Sequence, residues 1–488
     1  MTVAEGSPAS RGGRRPSRGR HGAGKPRDTR ARQPRDPARR VAYDVLRAVD
    51  QRDAYANLLL GPTLAAAGVS GRDAALATEL TYGTLRRQGT YDAVLDACVD
   101  RSLTSVDAEV LPALRLGAHQ LLSMNVPAHA AVSATVDLAR GVAGPHRARF
   151  VNAVLRKVSA RDLSEWVSLL APDRASDPVG ELALRQSHPR WIVTELARAL
   201  GETPGDGLAE TERLLVAQNE RPGVTLLAKP GRATPADLDP VGATPGRFSP
   251  YAAYLPQGDP AELTEVRQGR VAVADEGSQM TALALTRVRV EGDDAVWLDA
   301  CAGPGGKAAL LAGLAGRRDA RLLAGELRPH RATMVAGTVD RSVKDAARVV
   351  IADATRPAWR DAAFDRVLVD APCTGLGALR RRPESRWRRA AESVGELVPL
   401  QRELLARAID ATRPGGVVAY VTCSPVVAET QEVVAAIHDE RDDVEILRAA
   451  DYLSEVPDIA TGPDGLFAQF WPHRHGTDAM FLALLRRR

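Results

Sequence analysis

The stretch Ala295-Val296-Trp297-Leu298-Asp299-Ala300-Cys301-Ala302-Gly303-Pro304-Gly305-Gly306-Lys307 leads from an apolar run into a glycine-rich loop, and a helical pattern follows it. A continuous apolar run is typical of a buried parallel strand. Glycines let the backbone turn sharply and approach a ligand closely. The stretch therefore predicts the first strand, the ligand-binding loop and the first helix of an α/β sheet.

Further apolar runs at regular intervals predict the rest of this sheet. They lie at Arg321–Gly325, Val349–Ala352, Val367–Val369 and Val417–Val421. The residues that follow them are acidic or small and polar, namely Glu326, Asp353, Asp370 and Thr422. Open α/β sheets bind ligands at the carboxyl ends of their strands. We therefore expect a doubly wound, Rossmann-like sheet whose active edge carries acids.

The glycine-rich loop differs from two common nucleotide-binding loops. A P-loop needs a glycine five residues before its Gly-Lys pair and a serine or threonine after it, but this chain has Cys301 and Ala308 there. The spacing of a GxGxxG loop is also absent. Glu326 is placed to accept hydrogen bonds from ribose hydroxyls, and Asp353 to meet an adenine edge. Each acid taken alone is equally consistent with a helix N-cap or a solvated loop end.

Two cysteines directly follow the last two predicted strands, in the segments Asp370–Gly377 and Val421–Pro425. A thiolate can add to carbon 6 of cytosine, which makes carbon 5 nucleophilic enough to accept a methyl group. This chemistry needs a nucleophile, a group for N3 and the exocyclic amine, and assistance in elimination. Cys423, Asp370 and Cys373 are our candidates for these three roles.

The chain has four cysteines, which are too few for a disulfide framework and lack the CxxC spacing of a zinc site. We therefore predict reduced thiols and no metal. A free cysteine is most often a small buried hydrophobe. We favour that interpretation for Cys98 and read Cys301 as a packing residue within the loop.

Residues 380–389 contain six arginines and one tryptophan. Arginine binds phosphates in a bidentate manner, and aromatic rings stack on bases. A solvated surface is the common alternative for a charge run, but the nearby Cys373 favours nucleic acid. The candidate RNA contacts are Arg381, Arg382, Arg386 and Trp387. The target base must be in a loop or flipped from its stack.

Composition changes along the chain predict four parts. Residues 1–37 form a basic tail, and residues 1–40 carry a net charge of about +9 that the remainder offsets. We expect this tail to be disordered, either binding phosphates or merely solvated. Residues 38–165 read as an all-helical domain, 166–265 as a small linking subdomain with one strand and one helix, and 266–488 as the catalytic domain.

Targeting signals are missing from the sequence. No apolar run approaches the roughly 18 residues that a membrane span needs. The N-terminus lacks the apolar core of a secretory signal. We therefore expect a cytoplasmic protein without a membrane partner, and we expect it to be a monomer.

At these motifs the chain resembles the bacterial ribosomal RNA cytosine-5 methyltransferases that modify 16S rRNA and carry a NusB-like N-terminal domain. The resemblance rests on Phe150–Lys157, Asp275–Gln279, Cys301–Lys307, Asp370–Gly377 with Arg381-Arg382-Pro383, and Thr422–Ser424. It implies Cys423 as the nucleophile and Cys373 as an aid to product release. It also implies that S-adenosylmethionine is held by Cys301, Ala302, Gly303, Pro304, Gly305, Gly306, Lys307, Glu326, Asp353 and Asp370.

The chain departs from this family pattern in three places. The loop has Ala302-Gly303-Pro304 where the family usually has Ala-Ala-Pro. The acid after the second strand is Glu326 instead of the common aspartate. Leu226–Lys229 replaces an Arg-x-Asn-Thr pattern of the linking region.

Other functions fit the sequence less well. A DNA cytosine-5 methyltransferase attacks with the Pro-Cys cysteine, so Cys423 and the NusB-like domain favour RNA. The RNA could still be a tRNA or another RNA in place of 16S rRNA. A non-catalytic RNA-binding factor for assembly or antitermination would not need the two cysteines. A small-molecule methyltransferase would explain neither the arginine run nor the cysteine pair.

Overall fold

A computed structural model describes residues 36–339 and 346–488. Residues 36–488 form one compact unit. The tail predicted for residues 1–37 lies outside the described residues up to residue 35. Asp36 then caps the first helix, because its Oδ1 atom accepts a 3.0 Å hydrogen bond from the Arg39 amide.

The N-terminal region is helical, as the sequence predicts. Its helices are α1 (Pro37–Arg52), α2 (Ala56–Ala67), α3 (Gly71–Arg86), α4 (Gln88–Cys98), α5 (Leu111–Leu122), α6 (Ala128–Ala143) and α7 (Pro145–Val158). The apolar faces of α4, α5 and α7 meet in one core that includes Tyr91, Leu114 and Leu155. Cys98 is buried in this core, as expected for a packing residue.

The linking region has more structure than the sequence predicts. Its helices are α8 (Leu163–Leu170), α9 (Pro178–Arg185), α10 (Arg190–Leu200), α11 (Ala209–Asn219) and the one-turn α12 (Thr264–Arg267). An antiparallel sheet of order β2-β3-β1-β4 consists of β1 (Val224–Ala228), β2 (Thr244–Pro245), β3 (Ala252–Leu255) and β4 (Val271–Val273). The predicted strand and helix of this region correspond to β1 and α10, and the other elements were missed. The strands β2, β3 and β4 have only two to four residues, which is too few to show a period. The β4 strand also lies beyond residue 265, the predicted limit of this region.

The five strands predicted for the catalytic region are all present and parallel. They are β5 (Val296–Asp299), β6 (Arg321–Glu326), β7 (Ala347–Ile351), β8 (Phe364–Asp370) and β9 (Thr412–Thr422), in the spatial order β7-β6-β5-β8-β9. Four more strands extend the sheet beyond β9: β10 (Val444–Leu447), β11 (Ala460–Thr461), β12 (Phe467–Gln469) and β13 (Phe481–Arg487). The Rossmann-like α/β class is thereby confirmed.

Helices cover both faces of this sheet. They are α13 (Glu276–Arg287), α14 (Gly306–Gly316), α15 (Pro329–Val339), α16 (Ser385–Arg388), α17 (Glu392–Ala411), α18 (Gln431–Asp439) and α19 (Pro472–His475). Successive strand residues point to opposite faces, so Trp297 and Leu298 of β5 belong to different cores. Within the described ranges, we find no helix with the length and apolar character required to span a bilayer.

Candidate active site

The glycine-rich loop joins β5 to α14 at the carboxyl edge of the sheet. Its backbone is held to the adjacent strand, because the Ala302 amide donates to the Gly325 carbonyl at 2.8 Å. Gly305 has φ of +117°, a left-handed conformation that favours glycine. Its missing side chain also lets the loop lie against α15, since a Cβ atom here would be 3.3 Å from the Val335 Cα. The loop therefore makes its last turn at Gly305, directly before α14, and packs closely against α15.

Glu326 ends β6 beside this loop, as predicted, and is almost completely buried. Its Oε2 atom accepts a 3.1 Å hydrogen bond from the Gly303 amide, and its Oε1 atom accepts a 2.9 Å bond from the Arg328 amide. Arg331 donates to the Gly303 carbonyl at 2.6 Å. Each carboxylate oxygen can accept a second bond, so Glu326 both fixes the loop and retains capacity for ribose hydroxyls.

Asp299, the last residue of β5, is a buried carboxyl group without a standard partner. Its side chain is completely inaccessible, and neither oxygen accepts a hydrogen bond of good geometry within the described ranges. Burial, and next the charge of Asp370, raise the pKa of Asp299 to about 7, against the lowering effect of Lys307. A buried carboxyl group of this kind needs a hydrogen-bond donor or a cation as its partner.

Asp353 lies just after β7, the third strand, where the sequence placed it. Its Oδ1 atom accepts hydrogen bonds from the amide and the hydroxyl of Thr355, at 2.9 and 2.7 Å. These bonds lower the pKa of Asp353. The local turn thus uses one oxygen of the carboxylate, in the manner of a capping residue.

These groups fit S-adenosylmethionine. Exposed apolar side chains flank the two strand-end acids, since Leu327 is 58% exposed and Ile351 is 61% exposed. Apolar surface of this kind suits an adenine ring, and Glu326 suits a ribose. The carboxylate acceptors and the apolar surface are therefore complementary to the adenosine part of the cofactor.

The two cysteines of the predicted site lie in contact. The strands β8 and β9 are parallel neighbours, with Asp370 in register with Val421, so the segments that follow them meet. Cys373 Sγ and Cys423 Sγ are 3.4 Å apart, and both cysteines are free thiols. The structure thereby brings together Cys373, Cys423 and Asp370, which the sequence selected for one reaction.

An ion pair lies beside the cysteines. Lys307 Nζ, at the start of α14, donates to Asp370 Oδ2 at 2.8 Å, and the Lys307 side chain is only 9% exposed. Burial alone would lower the pKa of Lys307, but Asp370 raises it, so the lysine remains charged. This residue, predicted as part of the cofactor loop, therefore carries its charge toward the reacting centre.

The two thiols have different proton affinities. The hydrogen bond from Cys373 lowers the pKa of Cys423, and Lys307 and Arg382 lower it further, against burial and Asp370. The same hydrogen bond and burial raise the pKa of Cys373. These directions favour ionisation of Cys423, with Cys373 as the S–H donor.

Cys301 has a different environment from Cys373 and Cys423. It packs against the core on one face of the sheet, and burial followed by the charge of Asp299 raises the pKa of its thiol. This environment agrees with the packing role that we expected for Cys301 and disfavours a thiolate.

The arginine run contradicts the sequence prediction at Arg386. This side chain is completely buried, and its guanidinium donates to four oxygens of α3 and the linking region: Arg86 O (2.8 Å), Ser187 O (3.2 Å), Asn219 Oδ1 (2.8 Å) and Gln218 O (2.9 Å). The Arg381 guanidinium also makes contacts within the fold, since it forms ion pairs with Asp275 and Asp478. RNA contact by Arg386 was a wrong prediction, because its guanidinium is buried and fully used within the fold. RNA contact by Arg381 stays a prediction, since its side chain is still 25% exposed.

Arg382 and Trp387 retain exposed surface. Arg382 is exposed and contributes to the electrostatic environment of Cys423. Trp387 is 38% exposed, and part of its ring lies over Gly89 of α4, where a Cβ atom would be 2.2 Å from the ring. These two residues and the partly exposed Arg381 remain the candidates for RNA contact from this segment.

One residue near the site was absent from the sequence prediction, whereas Asp299 was already present there as the acid that ends the first predicted strand. Glu429 has no comparable signal, since the residues around it read only as the approach to a helix. Its partners lie up to 55 residues away in the chain, in the segments that carry the cysteines.

Comparison with known proteins agrees with this geometry. Residues 286–486 match the family described as 16S rRNA methyltransferase RsmB/F, and residues 36–160 match the NusB family. The crystal structure of PH0851 has a TM-score of 0.76, with 21% identity, and covers 93% of this chain and 99% of that one. That structural likeness supports the fold.

Relatives at higher identity extend over most of the chain. A Mycobacterium tuberculosis protein named only as a methyltransferase is 53% identical over 459 residues, covering 93% of this chain and 98% of that protein. Ribosomal RNA small subunit methyltransferase B of Xylella fastidiosa is 35% identical over 430 residues, covering 85% of this chain and 92% of that enzyme. The chain therefore belongs to the RsmB/F methyltransferase family, whose cofactor is S-adenosylmethionine, and carries a NusB domain before its catalytic domain.

Proposed function

We propose that this protein methylates carbon 5 of a cytosine in 16S rRNA, with Cys423 as the nucleophile. The supporting observation is the 3.4 Å contact between Cys373 Sγ and Cys423 Sγ, next to the Lys307–Asp370 ion pair. Two thiols of unequal acidity beside a positive charge favour one thiolate over two neutral thiols. That thiolate is the reagent that cytosine chemistry requires.

The first step forms a bond between Cys423 Sγ and carbon 6 of the base. The electron pair of the C5–C6 double bond shifts so that carbon 5 becomes nucleophilic. Asp370 uses Oδ2 to hold Lys307, which leaves Oδ1 to accept a hydrogen bond from the exocyclic amine of the cytosine. Orientation of the base by this carboxylate sets carbon 6 against the sulfur.

The second step moves a methyl group and then restores the ring. S-adenosylmethionine supplies an electrophilic methyl on its sulfonium, with S-adenosylhomocysteine as the leaving group. Carbon 5 bonds to the methyl, its proton passes to water, the C6–S bond breaks and the C5–C6 double bond returns. Cys373 donates its S–H to the departing Cys423 sulfur and so stabilises the thiolate as it leaves.

Within this proposal, the loop of residues 301–307, Glu326 and Asp353 would hold the cofactor. Glu326 would accept hydrogen bonds from the ribose hydroxyls, and Asp353 would use its second oxygen toward the adenine edge. These residues follow strands at the same sheet edge as Cys423 and Asp370, where the bound cofactor would supply its methyl group.

Single cysteine variants test the nucleophile. Purified Cys423→Ala should form no covalent RNA complex on a denaturing gel, whereas Cys373→Ala should accumulate one because its product is released slowly. The opposite pattern would assign the attack to Cys373, as in DNA cytosine-5 methyltransferases, and would overturn the proposal.

The substrate is tested separately. The Xylella relative is named as a small-subunit rRNA enzyme, which supports 16S rRNA over tRNA. Bisulfite sequencing of rRNA from a deletion strain should show one 16S cytosine that has lost its methyl group. Loss of a tRNA methyl group instead would support the second candidate. Absence of S-adenosylmethionine binding by calorimetry would support a non-catalytic RNA-binding factor.

A further inference from the structure

Glu429 is a completely buried carboxylate behind the two cysteines, between β9 and α18. Each of its two carboxylate oxygens accepts two hydrogen bonds. Oε1 accepts from the Thr374 amide at 2.7 Å and from Gln401 Nε2 at 3.1 Å. Oε2 accepts from the Thr374 hydroxyl at 2.5 Å and from the Ser424 hydroxyl at 2.6 Å. All four donors are neutral groups.

These donors immediately adjoin the two cysteines. Thr374 follows Cys373, and Ser424 follows Cys423. Gln401 also donates to the Pro372 carbonyl at 2.8 Å, on the other side of Cys373. A single carboxylate thus holds the segments after β8 and after β9 together. A displacement of either segment would break at least one bond to it.

We propose that Glu429 is a positioning residue that keeps the two thiols in contact and retains the shared proton on Cys373, so that Cys423 becomes the nucleophile. The inference rests on the proposed function for the role of Cys423 in attack. It goes further by assigning the asymmetry between the cysteines to a residue that touches neither the base nor the cofactor.

Charge supports the geometric argument. The negative charge of Glu429 contributes to the raised pKa of Cys373, after the Cys423 contact and burial. On the other side of the pair, Lys307 and Arg382 lower the pKa of Cys423. Further titratable neighbours include Asp370, which raises the pKa of both thiols, and Tyr420, which donates to the Glu429 carbonyl at 2.8 Å. Glu195 of α10 also faces Glu429, whose charge helps to raise the pKa of Glu195. The charge of Glu429 therefore favours the proton on Cys373.

The test is the alkylation of each cysteine by iodoacetamide as a function of pH, followed by peptide mass spectrometry. In the unaltered protein Cys423 should react before Cys373. Glu429→Gln keeps the shape and removes the charge, so the ratio of the two rates at neutral pH should fall about tenfold, as for one pKa unit. An unchanged ratio in a folded variant would overturn the proposal.

The matched control is Glu432→Gln, because Glu432 is half-exposed and pairs with Arg198 at the surface. It should leave the ratio unchanged, and an equal fall there would also overturn the proposal. If Glu429→Gln does not fold, Ser424→Ala removes one hydrogen bond and keeps the charge. That variant should lower the ratio about threefold, and no change would count against the proposal.

This experiment needs neither RNA nor cofactor. Failure of the proposed function would appear as a covalent RNA complex in Cys423→Ala, with the alkylation result still interpretable. Failure of the Glu429 inference would appear as unaltered thiol selectivity, with the RNA chemistry intact. The two outcomes are therefore distinguishable.

Discussion

The Gly303 amide donates a hydrogen bond to Glu326 Oε2, and a Cβ atom on Gly303 would lie only 2.1 Å from that same oxygen. Two departures from the family pattern are therefore neighbours in space. Gly303 stands in place of the usual alanine, and Glu326 stands in place of the usual aspartate. The longer acid occupies the volume that an alanine methyl group would need.

Gly303→Ala should weaken binding of S-adenosylmethionine, because its methyl group would displace the Glu326 carboxylate from the loop. Overpacking of this kind costs about 1–3 kcal/mol, which corresponds to about a 5-fold to 150-fold increase in Kd. Adding Glu326→Asp shortens the acid by one methylene and should restore most of the affinity. Calorimetry on both single variants and the double variant measures this coupling.

The double variant also provides the decisive control for that pair. Independent sites would show additive losses, so a double variant weaker than either single variant would contradict the steric explanation.

The titration of Asp299 predicts a pH dependence of stability. Its pKa is raised from 3.8 to about 7 in the folded protein. Protonation is therefore favoured in the folded state, and the resulting stability is present below pH 4 and lost as the pH rises to about 7. Urea unfolding across this range should show wild type losing stability relative to Asp299→Asn, which does not titrate. If the free energy of unfolding changed with pH in the same way for both proteins, the prediction would be wrong.

Lys307→Met should raise the pKa of Cys423 and leave the charge of Asp370 without its partner. Breaking a buried pair commonly costs about 3–5 kcal/mol, so unfolding in urea should begin at lower concentrations. The pH midpoint for alkylation of Cys423 should move upward. Lys157→Met is the control, because its pair with Asp100 is exposed at the surface. Equal effects of the two variants would refute the proposed role of Lys307.

Arg386→Lys should destabilise the protein, since a lysine cannot donate to all four oxygens that the guanidinium contacts. Each buried acceptor left unpaired costs about 1–3 kcal/mol, so we expect a loss of about 3 kcal/mol or more in the free energy of unfolding. Arg382→Lys, at an exposed position, should change it by less than about 0.5 kcal/mol. A stable Arg386→Lys protein would show that the buried network is dispensable.

Arg382→Ala tests RNA contact from the same segment. The variant should keep its stability but bind 16S rRNA fragments more weakly. The slope of log affinity against log salt is negative, and the loss of one phosphate contact should make it shallower by about 1. Filter binding at several salt concentrations measures that slope, and an unaltered slope would remove Arg382 from the RNA interface.

The α/β sheet, its five parallel strands, the loop of residues 301–307 and the pairing of Cys373 with Cys423 were all predictable from the amino-acid sequence. These features are local: an apolar run, its terminal acid and the turn that follows are adjacent in the chain, and parallel strands align their ends at one edge. The short elements of the linking region were missed because a strand of two to four residues carries too few side chains to show a period.

The contacts of the charged side chains, in contrast, became visible in the folded chain alone. Arg381 and Arg386 read as RNA contacts in the chain, but packing of α16 against α3 and the linking region buries Arg386 and satisfies it with backbone oxygens. Glu429 carries no sequence signal, yet it joins the segments that carry both cysteines. Burial and partner choice for a charged group depend on residues far apart in sequence, which a linear pattern does not record.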